Sequence, residues 1–187
     1  MSYKNKTLER YLDDLAGRFP APGGGSAAAL TAAMGASLIS MVANFTLGKP
    51  KYSKYEFELK KALEKSERIR KEFLDLVDLD VTAYQSKNIR NALNVPFMLA
   101  RLCFEAIKLC PPLVKKGNVN LASDVAVAAV FLESAFTSAC FNVEINLKLL
   151  GEKTLASSIK KELNQKGRII KKIREKTEVG VGEIIRR

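Results

Sequence analysis

The sequence predicts an all-α protein, a single-domain and mainly antiparallel bundle of about six helices. Three observations carry this. Apolar residues recur three and four positions apart, no run of any length alternates as a strand does, and Gly/Pro breaks leave helix-length segments joined by short connections. The chain has 187 residues and neither a linker-like nor a low-complexity tract, so one domain over 1–187 is expected.

The first helix is expected over about Leu8 to Gly17, capped by Thr7, with Leu8, Tyr11, Leu12 and Leu15 on one stripe. Pro20-Ala21-Pro22-Gly23-Gly24-Gly25 cannot continue it, and Ser26 reads as the N-cap of a second helix to about Leu47. After Gly48-Lys49-Pro50, the capping-box pattern Ser53-x-x-Glu56 opens a long third helix to about Tyr84. Pro96 begins a fourth, which Pro111-Pro112 breaks or kinks before Lys116. Asn120 or Ser123 caps a fifth, an apolar run that stops near Gly151. A last helix covers about Leu155 to Lys176.

Composition narrows the chemistry. Histidine is absent, which excludes Ser-His-Asp and Cys-His catalysis and leaves Asp, Glu, Tyr, Lys and backbone as proton carriers. Cys103, Cys110 and Cys140 form no CxxC, so no metal site is expected and they read as ordinary buried thiols. Met1 to Thr7 is polar and charged, unlike a secretory signal, and a cytoplasmic protein is expected. The second helix is uncharged for about the length of a bilayer span, yet it is rich in Ala, Gly, Ser and Thr and reads as a buried central helix or a close subunit contact. No membrane association is expected. The formal charge is +11, and Glu152 to Arg187 holds eleven Lys/Arg against five Glu. No helix-turn-helix, zinc-finger or RNP motif accompanies that charge, so nucleic acid is not the expected partner.

Functional candidates are polar residues where packing would not choose them. A helix that starts after glycines offers free backbone N–H groups to an anion, although the same glycines also serve a plain turn. Asp124, Asn142 and Asn146 interrupt the apolar fifth helix and need partners or a ligand. Asp124 and Asn142 lie on one face but roughly 27 Å apart along the axis. Either they serve different parts of a long ligand, or a twofold dimer brings one end of the helix near the other end of its mate. Asp80 and Tyr84, four apart, share one side of the third helix.

Five segments in order resemble the cyclodeaminase domain of formiminotransferase-cyclodeaminase and the related bacterial methenyltetrahydrofolate cyclohydrolases. They are Pro20 to Ser26, Met41 to Thr46, Asp80 to Tyr84, Gly117 to Asp124, and Asn142 to Leu147. The connection from Tyr84 to Pro96 is shorter than is usual in that family. The resemblance implies a helical homodimer that binds a one-carbon tetrahydrofolate or its polyglutamylated form between helices or subunits, with no cofactor beyond that substrate. It implies first the cyclodeaminase reaction, 5-formiminotetrahydrofolate to 5,10-methenyltetrahydrofolate and ammonia. Its alternatives are the cyclohydrolase reaction, from methenyl- to 10-formyltetrahydrofolate, and a non-catalytic pterin-binding module. Asp80 and Asp124 are then the expected proton carriers, with Tyr84 as a donor. Gly23, Gly24, Gly25, Ser26, Asn44, Gly117, Asn118, Asn120, Ser123, Asn142 and Asn146 are the expected binding residues.

Overall fold

The computed structural model describes residues 2–186, and the elements there are helical: α1 Leu8–Ala16, α2 Gly24–Thr46, α3 Glu56–Gln85, α4 Ile89–Ile107, α5 Cys110–Lys116, α6 Ala122–Leu150 and α7 Lys153–Ile185. Short 3-10 turns at Pro50–Tyr55 and Val119–Leu121 lead into α3 and α6. The all-α bundle is as expected; the expected fourth helix is two.

Helix α2 is the central element, packed against both α3 and α6. Its small residues permit this. Ala28, Ala32, Ala36 and Ala43 are buried, and a Cβ on Gly35 would lie 3.0 Å from Leu132 and 3.2 Å from the Ala128 carbonyl of α6. Ser40 meets Ser66 of α3 at 2.8 Å. At the C-terminal end of α2, the Thr46 hydroxyl accepts the Asn118 N–H at 2.9 Å, just before α6 begins. The start of α2 lies against the end of α3, so α2 runs antiparallel to both neighbours. Phe73, Ile39, Leu132 and Ile107 fill the space between the helices, each contributing roughly 1.5–3 kcal/mol by full burial.

Several boundaries differ from the sequence reading, each for a local reason. The Thr7 cap forms, accepting the Arg10 N–H, but Leu8 and Leu12 are exposed and Tyr11 alone of the stripe is fully buried. Neither Ser53-x-x-Glu56 nor Ser123 and Asn120 cap a helix, because 3-10 turns precede α3 and α6; Asn118 caps the second turn by accepting the Asn120 N–H. Helix α4 starts seven residues before Pro96, with the Asn88 side chain accepting the Arg90 and Asn91 N–H groups. Helix α7 continues through Gly180 and Gly182 to Ile185, since Thr177 and Val181 are buried and Gly180 lets α7 approach Val114 of α5.

The Thr46 to Asn118 bond supplies a stability test. Thr46 is fully buried, and its hydroxyl also donates to the Val42 carbonyl at 2.6 Å. Thr46→Val keeps the shape and leaves the Asn118 N–H without a partner, so a loss of about 1–3 kcal/mol is expected in urea unfolding.

Candidate functional site

Three elements converge on one cleft. The Pro20-to-Gly25 loop and the start of α2 form one wall, the last turns of α3 supply Asp80 and Tyr84, and the end of α6 supplies Asn142, Ile145, Asn146 and Leu149. This lobe is about 350 Å³. A second lobe of about 620 Å³ shares Pro20, Tyr84, Ala92, Asn146 and Leu149 with it and extends to Gln85, Lys87, Asn88 and Ile89 at the junction of α3 and α4.

Helix α2 starts two residues earlier than the sequence suggests, with Gly23 at the cap position. Ser26 is therefore inside the helix and fully buried. It accepts the Tyr11 hydroxyl at 3.1 Å and donates to the Val77 carbonyl at 3.1 Å, tying α1, α2 and α3 together beneath the cleft. It holds the wall and does not line it. Gly25 is where the absence of a side chain matters: a Cβ there would lie 2.1 Å from Asp80 Oδ1 and 2.7 Å from its Cγ. Gly23 and Gly24 have open space instead. The N-terminal end of α2 thus already faces a carboxylate, that of Asp80.

Burial pushes the Asp80 carboxyl above the usual carboxylate range, and the Ser26 N–H, which favours the charged form, offsets this only in part. Burial likewise raises Tyr11, whose hydroxyl is close enough to feel the Asp80 charge. A carboxyl with a raised pKa in a cleft suits proton transfer in both directions.

The asparagines are oriented by backbone carbonyls. Asn142 donates to its own helix at the Ser138 carbonyl, 2.9 Å away. Asn146 donates to the Ala92 carbonyl of α4 at 2.7 Å. That carbonyl is free because Pro96, four residues on, has no N–H with which to continue the helical ladder. Pro96, read from sequence as a helix start, instead frees the acceptor that aims Asn146. Each amide keeps its oxygen free to accept.

The remaining expected residues are elsewhere. Asn44 is exposed near the C-terminal end of α2, in a shallow depression with Met41, Phe45, Glu67 and Arg70. Gly117 and Asn118 are buried at the same end of the bundle, Asn120 and Ser123 are exposed there, and Asp124 is half-buried in the first turn of α6. Within one chain, then, Asp80, Tyr84, Asn142 and Asn146 come together and Asp124 does not join them. Tyr84 is 60% exposed at the cleft mouth, open to a ligand. Ile145, Leu149, Ala92 and Lys87 line the cleft without having been expected. The signal for the first two was spacing: 142, 145, 146 and 149 share one helix face. Among the described residues no group of three His, Cys, Asp or Glu side chains is placed to hold a metal ion. Burial pushes the Cys110 thiol up to about 12 and Cys140 to about 11, which makes both poor nucleophiles.

Comparison with known proteins places these features in a lineage. The sequence pattern of the formiminotransferase-cyclodeaminase family matches residues 7–88 and 85–165. A methenyltetrahydrofolate cyclohydrolase of Methylorubrum extorquens is 38% identical over 182 residues, covering 85% of this chain and 88% of that protein. The formimidoyltransferase-cyclodeaminase of Rattus norvegicus is 29% identical over 170 residues, covering 79% of this chain; the chain spans only 31% of that longer protein. The crystal structure of a formiminotetrahydrofolate cyclodeaminase from Thermotoga maritima superposes with a TM-score of 0.92 at 29% identity, over 97% of this chain and 98% of that one.

Proposed function

The chain belongs to the formiminotransferase-cyclodeaminase family, and from that membership we propose that it is a methenyltetrahydrofolate cyclohydrolase. The observation that carries the reading is the cleft where Asp80, Tyr84, Asn142 and Asn146 meet, in a chain 38% identical to a cyclohydrolase across 88% of that relative. This reverses the order implied by motifs alone, which put the cyclodeaminase first. That second reading keeps its own support, the close superposition on the Thermotoga maritima cyclodeaminase.

In the cyclohydrolase reaction water adds to the methenyl carbon between N5 and N10. Asp80, ionised, takes a proton from the attacking water; the N5–carbon bond of the tetrahedral adduct then breaks, and Asp80 returns the proton to N5. The adduct hydroxyl loses its proton to solvent as the N10-formyl carbonyl forms, which balances the positive charge of the methenyl group. Asn142 and Asn146 accept hydrogen bonds from the water or from pterin N–H groups. The Tyr84 hydroxyl donates to the adduct oxygen. The apolar wall of Ile145 and Leu149 fits the aromatic part of the ligand. In the cyclodeaminase reaction the same Asp80 would serve N10 as it attacks and ammonia as it leaves.

The second cluster, from Asn44 and Gly117 to Asp124, is assigned to the same site through a homodimer. Helices α2 and α6 are adjacent, and both carry exposed apolar residues: Met34 and Phe45 on one, Val127, Val130, Phe141 and Ile145 on the other. Because the clusters occupy opposite ends of antiparallel helices, a twofold axis across this face sets the Asp124 end of one copy against the Asp80 cleft of the next. The proposed unit is one domain spanning the chain, in the cytoplasm, where its three free thiols would stay reduced.

The decisive test follows the methenyl chromophore with 5,10-methenyltetrahydrofolate and, separately, with 5-formiminotetrahydrofolate. Loss of absorbance with the first identifies the cyclohydrolase, and gain with the second the cyclodeaminase. Asp124→Asn is expected to lower turnover at least tenfold while leaving the urea midpoint nearly unchanged, and full activity in that variant removes Asp124 from the site.

A further inference from the structure

We propose that Lys87 binds the carboxylate-bearing end of the substrate at the mouth of the cleft; the proposal rests on the folate reading of the site and extends it. Two observations select this residue. Lys87 is the only cation among the described residues that line the two lobes. It is also the only non-glycine residue among those described with a positive φ, 54°, in the left-handed region that favours glycine. A lysine there is not the choice of a chain that needs only a turn.

The turn is fastened on both sides. The Lys87 N–H donates to the Tyr84 carbonyl at 3.2 Å, Ser86 donates to the Ala83 carbonyl at 2.7 Å, and the Asn88 N–H donates to the Ser86 hydroxyl at 3.2 Å. Asn88 in turn caps α4. The backbone that carries Lys87 is therefore fixed by the end of α3 and the start of α4. Its exposed side chain has no carboxylate partner among the described residues, whereas nearby Arg90 pairs with Glu152.

The competing anchor is already taken. The start of α2, the other place in the cleft that favours negative charge, faces the Asp80 carboxylate. A ligand with a reacting carbon near Asp80 and an anionic far end then has one direction to follow: past Tyr84 and Leu149, along the larger lobe, to Lys87. This ordering places pterin, aromatic ring and carboxylate on Asn142/Asn146, Ile145/Leu149 and Lys87 respectively.

The test uses Lys87→Gly and Lys87→Arg in the full chain. Glycine suits the turn, so the urea midpoint of Lys87→Gly is expected to match or exceed that of the original protein. Its KM for methenyltetrahydrofolate is expected to rise about tenfold with kcat within about twofold, and Lys87→Arg to retain the original KM. An unchanged KM with a raised urea midpoint is the signature of a turn residue only and overturns the proposal. Calorimetry with p-aminobenzoylglutamate, which carries the carboxylates but no reacting carbon, separates this from the reaction itself. Binding that is lost in Lys87→Gly sustains the role of Lys87 even if neither folate is turned over, the outcome that would sink the proposed reaction. Equal binding by both proteins, or by neither, overturns it.

Discussion

Asp80→Asn is expected to lower turnover by about 10²–10⁴ while making the protein more stable at neutral pH. The two effects have one cause. Asp80 is held in the cleft with its carboxyl above the ordinary range because burial disfavours the charge more than the Ser26 N–H restores it. A folded-state pKa above the unfolded value means that the folded protein binds the proton more tightly. Stability from this group is therefore full at low pH and declines as pH rises from the unfolded carboxylate pKa through the folded one, so at neutral pH the buried charge is a deficit. Asparagine removes the charge and the deficit and cannot shuttle a proton. The stability gain over the original protein should shrink as pH falls toward the ordinary carboxylate range, where Asp80 is protonated in both states. Urea titrations of both proteins across that interval measure it. The original enzyme should show an acid limb in kcat/KM above the ordinary aspartate pKa, a limb that Asp80→Asn lacks in its residual rate. A gain in stability with unaltered turnover would make Asp80 a strained structural group and remove it from the chemistry.

The helices were legible because their cause is local: apolar spacing and Gly/Pro punctuation mark α1, α2, α3 and α6 to within a few residues. The misread boundaries are those where a distant contact overrides a local rule. Pro96 looks like a helix start until Asn146 is seen to hold the carbonyl that the proline leaves free. Helix α7 runs past the expected end at Lys176 because α5 packs on it at Gly180. The same division applies to the site. Asp80, Tyr84, Asn142 and Asn146 could be picked out as polar residues at helical spacing, but that Gly25 and Asp80 meet depends on how α2 lies on α3. Ser26, a credible cap from its neighbours, becomes a buried tie because the helix begins at Gly24. Lys87 had no sequence signal, since only the folded turn shows its positive φ.

Gly25→Ala is the sharpest test of the cleft because propensity and packing predict opposite results. In an open helical position alanine is better than glycine by about 1 kcal/mol, so a neutral or stabilised protein would be the default. Here the added carbon would stand 2.1 Å from Asp80 Oδ1, 2.7 Å from Cγ and 2.9 Å from Oδ2. No rotation of so short a side chain clears all three contacts without swinging the carboxylate away from the start of α2. Turnover is expected to fall by about 10² or more, approaching the loss in Asp80→Asn, and the acid limb to move toward the ordinary carboxylate range as the displaced group meets water. Gly24→Ala is the control: the space beside it is open, so its stability should not fall and its Asp80 carboxylate should stay in place. The two glycines are adjacent in sequence and alike in composition, so a difference between them reports the Asp80 contact and not glycine content. In an Asp80→Asn background Gly25→Ala should cost little further activity, because the group it displaces no longer carries a proton. Equal, undiminished turnover in Gly25→Ala and Gly24→Ala would show that the position of Asp80 against α2 does not matter to the reaction.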